Sequence, residues 1–219
     1  MNFNYADYPT LNVSGKRIYE ISSDRLYPSI TTVLGHTQEQ DKKTVLERWK
    51  ARVGNKEADR IGKAAADRGT HVHTMIERQL LGVEPFKIDE FPENSVNLFK
   101  SLRLELKKIN KVIGQEVVLY SDQLKVAGRC DLIAEYNNTI TIVDYKTSSR
   151  VKSANDIGDY FIQAVFYLLA HNEMFDTNIE KMVIMMGVEN RLPLVFKKDL
   201  SEDLIIKLFE RVDTFYKNL

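Results

Sequence analysis

After Asn94 the apolar residues Phe99, Leu102, Leu106 and Ile109 recur at three- and four-residue steps, which predicts an amphipathic helix ending by Gly114. Three runs dense in Val, Ile, Leu, Thr and Tyr follow at 116–120, 126–136 and 139–146, separated by polar turns, and predict an antiparallel meander. A helix over about 156–172, strands at 181–188 and 192–196 and a closing helix over about 201–216 complete the order. Upstream, 42–81 is rich in Ala, Glu, Lys and Arg and has no proline, so it predicts two or three helical segments broken near Gly54 and at Gly69. Residues 1–37 mix short extended patches with turn formers and read as a strand-poor cap.

No repeat, low-complexity tract or long linker divides the 219 residues, so 1–219 is expected to be one domain, with a cap and helical region at 1–66 and a core at 67–219. A hydrophobic content of 43% supports a sizeable core. Acidic and basic residues balance at 31 each, so any grip on nucleic acid must come from a local patch. Such a patch lies between Lys42 and Arg68, where nine basic residues face four acidic ones, a net +5 beside Trp49 and Lys50 that reads as a phosphate track or as a solvated helical face. Cys130 is the only cysteine, which excludes a disulfide framework and a four-cysteine iron–sulfur cluster within one chain. With no export signal and no apolar run long enough to span a bilayer, a cytoplasmic protein with no membrane partner is expected.

The densest chemistry sits on the second hairpin. Asn137-Asn138 between two strand patterns suits a two-residue primed turn, since Asn tolerates positive φ. Facing residues then have numbers summing to 275, which sets Asp131 opposite Asp144 with Cβ atoms about 4.5–5.5 Å apart. Strand alternation sends Lys146 to the same face as Asp144. A loop centred on Gln123-Leu124 would likewise pair Glu116 with Asp131. Three carboxylates in a row repel one another, and oxygen ligands of this kind select Mg²⁺ or Mn²⁺. The plainer alternative, solvated strand-end aspartates with Lys146 as an ion-pair partner, fits less well beside the apolar runs that both aspartates adjoin.

Gly128-Arg129-Cys130-Asp131 followed by Asp144-Tyr145-Lys146-Thr147-Ser148 resembles the Gly-x-x-Asp and Asp-x-Lys motifs of the PD-(D/E)XK nuclease superfamily. The RecB-like branch also has a Gln-x-x-x-Tyr element on the next helix, and Gln163 and Tyr167 stand in the matching place, four residues apart on one helix face. Arg68-Gly69-Thr70-His71-Val72-His73 is similar to that branch's Arg-Gly-Thr-x-x-His helix start, with His73 at the ligand position. On a helix His71 and His73 point about 200° apart, whereas His73 and Glu77 are separated by about 40°. The segments 28–34 and 46–50 are similar to those of the mitochondrial genome maintenance exonuclease family and its phage and bacterial relatives, so the resemblance covers about 28–170.

That resemblance implies an α/β, restriction-endonuclease-like core: a central mixed β-sheet of about five strands flanked by helices, with a helical N-terminal region. It implies one or two Mg²⁺ or Mn²⁺ ions held by His73, Asp131, Asp144 and the Tyr145 carbonyl, with Glu116 a candidate further ligand. Lys146 would orient or deprotonate the attacking water, and Gln163 and Tyr167 would position the phosphate. Arg68, Thr70, Thr147, Ser148, Trp49 and Lys50 are candidate nucleic-acid contacts. The implied activity is a DNA exonuclease acting on single strands or frayed ends in replication, recombination or repair, within a bacterial cell or phage-infected host. The alternatives are a structure-specific endonuclease of the same fold and a catalytically silent DNA-binding subunit. No Gly-x-x-x-x-Gly-Lys-Ser/Thr loop is present, so a helicase or recombination protein would be a separate partner.

Overall fold

The computed structural model describes residues 3–38, 40–83 and 87–219, and of residues 40–43 the backbone alone. Its centre is a five-stranded sheet of β4 (Ile109–Ser121), β5 (Val126–Tyr136), β6 (Thr139–Ser148), β7 (Lys181–Val188) and β8 (Leu194–Asp199), adjacent in that order. All neighbours are antiparallel except β6 and β7, which are parallel and joined through α5 (Gly158–Phe175). A parallel pair needs such a crossover, because no tight turn can return the chain to the same end of the sheet.

Strand alternation gives the sheet two buried faces, so β5, β6 and β7 read as nearly continuous apolar runs. Ile133, Ile142, Ile184 and Met186 meet α1 (Ile30–His36), α5 and α6 (Glu202–Lys217) on one side. Leu132, Ala134, Val143, Tyr145 and Met185 meet α3 (Asn55–Leu80) and α4 (Glu93–Leu106) on the other. Phe99, Leu102 and Leu106 form the expected buried stripe of α4. No described helix is long and apolar enough to cross a membrane.

The hairpin register holds as expected. Asn137 and Asn138 take φ of 49° and 64°, and the pairs from Tyr136–Thr139 to Leu132–Val143 all sum to 275. The preceding hairpin also keeps its expected register near the tip, from Ser121–Val126 to Val117–Cys130.

Three expectations are corrected. Residues 10–28 form an antiparallel sheet of β1 (Thr10–Val13), β2 (Lys16–Ser22) and β3 (Arg25–Pro28), so the N-terminal cap is not strand-poor. Its signal was Ser14-Gly15, whose φ of 52° and 78° makes a primed turn between alternating residues. Its Tyr19, Ile21 and Tyr27 pack on Val118 and Ala127 of the main sheet. Gly69 does not break the helix: α3 is continuous through it, carried by Ala64-Ala65-Ala66 and by packing on β6, where a Cβ at Gly69 would lie 3.8 Å from Thr147 Oγ1. Gly54, at φ 86°, is the real break, separating α3 from α2 (Gln40–Val53). Finally, α4 ends at Leu106 and Ile109 opens β4, because β5 extends to Tyr136 and supplies a partner for the whole of 109–121.

The Asn137-Asn138 turn yields a direct check. Asn138→Val forces a β-branched residue to positive φ and should cost about 1–3 kcal/mol. That lowers the melting temperature by several degrees, at about 2–4 °C per kcal/mol for a chain of this size. Asn137→Gly should leave it nearly unchanged, and equal melting of both variants would contradict the turn.

Candidate active site

The main sheet splits at one point. β5 and β6 are paired up to Leu132–Val143, and the next facing pair, Asp131 and Asp144, falls outside the ladder. Beyond it β6 stays on β7 through Ser148 while β5 stays on β4 to Val126. At this fork the Asp131 side chain takes the place of the ladder: its Oδ2 accepts the Tyr145 N–H at 2.8 Å. A buried backbone donor must be satisfied, and here a carboxylate satisfies it in the gap.

Helix α3 brings His73 to the opening, with Nε2 2.9 Å from the Tyr145 carbonyl oxygen and Nδ1 3.7 Å from Asp131 Oδ1. Glu116 arrives from β4 in the register expected for facing Asp131, between the pairs Gln115–Leu132 and Val117–Cys130. That pair is itself missing from the ladder, and Glu116 has φ +52°, a sparsely populated conformation for a residue other than glycine. Ligand atoms of His73, Glu116 and Asp131 all lie within 4.8 Å of one another. Asp144, 1% exposed, lies beside Lys146, whose Nζ is 2.7 Å from Oδ1 and 2.5 Å from Oδ2. Oδ2 is buried with the Lys146 ammonium as its charge partner and no hydrogen bond of acceptable geometry, so a bound metal ion would compete with Lys146 for it. The donor set, one imidazole with carboxylate and carbonyl oxygens, fits Mg²⁺ or Mn²⁺.

Electrostatics agree with the geometry. Burial, reinforced by the charge of Asp131, pushes Glu116 up to about 7. Burial also raises Asp144, with Lys146 opposing and Asp131 adding to the rise. Burial works against the Lys146 ammonium, but Asp144 and Asp131 outweigh it and hold its pKa above the usual lysine value.

On α5, Gln163 Nε2 donates to the Tyr167 hydroxyl at 3.0 Å, and both are buried. The Tyr167 ring lies against the backbone of Gly128, where a Cβ would come within 2.8 Å of it. The glycine of the Gly-x-x-Asp segment is therefore a seat for this ring. Burial and then Asp131 raise the Tyr167 phenol well above its ordinary value, so it stays protonated.

The expected nucleic-acid contacts scatter. The Arg68 guanidinium donates to Glu189 Oε1 at 2.6 Å, the Thr70 hydroxyl donates to the Ala66 carbonyl, and the buried Ser148 hydroxyl donates to the Arg150 carbonyl. Thr147 sits partly buried where α3 crosses β6. Trp49 is half-buried and Lys50 exposed on α2, and Trp49 with Arg48, Arg52, Arg150 and Asp156 lines a cavity of about 950 Å³ that includes none of the fork residues. The Lys42 and Lys43 side chains lie outside the described residues. His71 turns away from the fork, to Ser95 Oγ at 3.3 Å and the Phe91 ring. Glu77 is near enough to raise Glu116 but is not in the three-residue ligand group.

Sequence reasoning missed Tyr160 and Lys152. Lys146 Nζ stands 5.1 Å from the Tyr160 ring centroid, and Lys152 Nζ donates to the Tyr160 hydroxyl at 2.9 Å. Tyr160 precedes Gln163 by one helical turn on the same face of α5, a signal that was present; Lys152 lies in the irregular stretch between β6 and α5 and had none.

Residues 87–188 match the model of the PD-(D/E)XK nuclease superfamily. Mitochondrial genome maintenance exonuclease 1 of Xenopus tropicalis is 29% identical over 158 residues, 70% of this chain and 45% of that protein. The protein of the same name from Homo sapiens is 30% identical over 161 residues, 69% and 45% respectively. The chain thus spans less than half the length of these vertebrate relatives. A solved chain from Eubacterium rectale superposes with a TM-score of 0.47 at 16% identity, over 70% of this chain and 65% of its own.

A carboxyl whose pKa rises on folding binds its proton more tightly in the folded state. The stability it contributes is complete below the unfolded value, 4.5 for Glu116, and is lost as pH rises through about 7. Asp144 has the same sign. In EDTA the protein should therefore melt at lower temperature at about pH 8 than at about pH 5, and Glu116→Gln should recover a few degrees at the higher pH only. Scanning fluorimetry checks this, and a Glu116→Gln offset independent of pH would contradict it.

Proposed function

On the premise that this chain carries a PD-(D/E)XK nuclease domain and is homologous to the mitochondrial genome maintenance exonucleases, we propose that it is a Mg²⁺- or Mn²⁺-dependent deoxyribonuclease. Its substrate in this reading is single-stranded DNA or a frayed end, degraded as an exonuclease in replication, recombination or repair, with any helicase a separate protein. The observation that carries the proposal is the forked sheet, which gathers His73, Glu116 and Asp131 within 4.8 Å and sets Asp144 and Lys146 beside them.

His73, Asp131, Asp144 and the Tyr145 carbonyl, with Glu116, would hold one or two ions, which when bound lower the pKa of water and offset phosphate charge. Asp131 has a second task at the same time, since its other oxygen holds the Tyr145 N–H and so keeps the Tyr145 carbonyl at the opening. Lys146 keeps an ammonium next to Asp144, where it orients the attacking water and counters the charge that builds on the phosphate. Gln163 and Tyr167 form a fixed polar wall on the α5 side, their hydroxyl and amide already joined and so pre-organised.

Single-strand preference is supported by the cavity beyond Arg150. Three guanidinium groups and one indole, against the single carboxylate of Asp156, suit a flexible backbone whose unstacked bases can lie on an aromatic face, and a duplex offers no such faces. The net charge of zero makes a local track of this kind necessary, because no global field holds a polyanion.

Two measurements follow. Asp144→Asn should reduce cleavage of linear single strands at least about a hundred-fold while the fold persists. Lys146→Ala should do the same and also lower stability, because it leaves the buried Asp144 carboxylate unpaired. Wild-type rates from either variant would remove this site from the reaction. With linear and circular single strands side by side, only the linear one should disappear; rapid loss of the circle would make the enzyme an endonuclease.

A further inference from the structure

We propose that Arg129, braced by the extended segment 3–8, is a positioning residue that fixes Glu116 for cation binding, an inference that rests on reading the fork as a divalent-metal site. Glu116 is held at φ +52° with both flanking residues in register, a sparsely populated conformation that persists only where neighbours enforce it. Arg129 supplies the enforcement: its Nη1 donates to the Glu116 carbonyl oxygen, and its Nη2 donates to Asp7 Oδ1 at 2.6 Å. The planar guanidinium spans both acceptors with one rigid group, which a lysine cannot reproduce.

Asp7 is in turn placed by two anchors. On one side the Tyr5 ring presses on Gly114, two residues before Glu116, where a Cβ would come within 2.8 Å of it. The Tyr5 hydroxyl is 2.9 Å from His171 Nε2, and the His171 Nδ1 is 2.8 Å from the Thr177 hydroxyl. The Phe3 and Phe175 rings close around this pair, with centroids 5.1 Å apart. On the other side Tyr8 packs edge-on against Tyr120. The segment therefore runs along β4 and ties α5, β4 and β5 to the one residue of the ligand group that has an unusual backbone. The Arg129–Asp7 pair is exposed enough to add little to global stability, so its effect belongs in ion binding rather than in melting.

The test is calorimetric Mn²⁺ titration of the wild type, Arg129→Ala, Arg129→Lys, Asp7→Asn, Glu116→Gln and the Arg129→Ala/Glu116→Gln double variant, with cleavage of a linear single strand measured in parallel. Arg129→Ala should weaken Mn²⁺ binding about ten-fold or more, as outer partners of metal ligands do. Arg129→Lys should recover part of the loss, Asp7→Asn should cause a smaller one, and Arg129→Ala should add nothing once Glu116 is already Gln. Wild-type affinity in Arg129→Ala, or an equal loss with and without the Glu116 carboxylate, would overturn the proposal. Should Arg129→Ala not fold, Asp7→Asn alone and combined with Glu116→Gln completes the same cycle: a loss that needs the Glu116 carboxylate supports the brace, and a loss independent of it overturns the brace. If the cycle holds but the wild type cuts no DNA, the brace stands and the nuclease reading falls; if the wild type binds no Mn²⁺, both fall.

Discussion

One hydrogen bond organises the centre of this protein: the Asp131 carboxylate accepts the Tyr145 N–H across the gap where β5 and β6 part. Two strands that separate inside a core leave backbone groups without partners, and each such group costs about 1–3 kcal/mol if unmet. Asp131 meets that need with a side chain, which lets the sheet open without collapsing. The opening in turn gives His73, Glu116, Asp131, Asp144 and Lys146 a common space. Both sides of the fork are held from behind, β5 by the long pairing with β4 and β6 by the parallel pairing with β7 and by the two apolar faces packed against α3, α4 and α5.

The same arrangement concentrates negative charge. Glu116, Asp131 and Asp144 share a partly buried site with Lys146 as the principal counter-charge, and burial raises Glu116 and Asp144 above ordinary carboxyl values. Such a cluster works against folding at neutral pH in the absence of a cation. The left-handed backbone of Glu116 works in the same direction. Both costs fall on one small region, the pattern expected where a site is built for a ligand rather than for stability.

Much of this was legible in the chain because it depends on local rules. Asn137-Asn138 defines one turn, whose register sets Asp131 against Asp144, and the loop at Gln123-Leu124 sets Glu116 against Asp131. Helical spacing separated His73 from His71 and joined Gln163 to Tyr167. What escaped depends on contacts distant in sequence. Arg129 lies within the recognised Gly-x-x-Asp segment, but its partner Asp7 is 122 residues away. Gly69 looked like a helix breaker because the packing of α3 on Thr147 is not visible in a local window. Register alone also could not show that the ladder would end one pair short of Asp131, or that Glu116 would leave the extended conformation.

A fork built to hold a divalent cation should bind one where its carboxylates converge, and anomalous diffraction from a crystal equilibrated with Mn²⁺ tests this most directly. A peak within coordinating distance of Asp131 and Asp144, with the Lys146 ammonium moved off Asp144 Oδ2, is the predicted result. Mn²⁺ bound only elsewhere, with the Lys146–Asp144 contact unchanged at a saturating concentration, would contradict it.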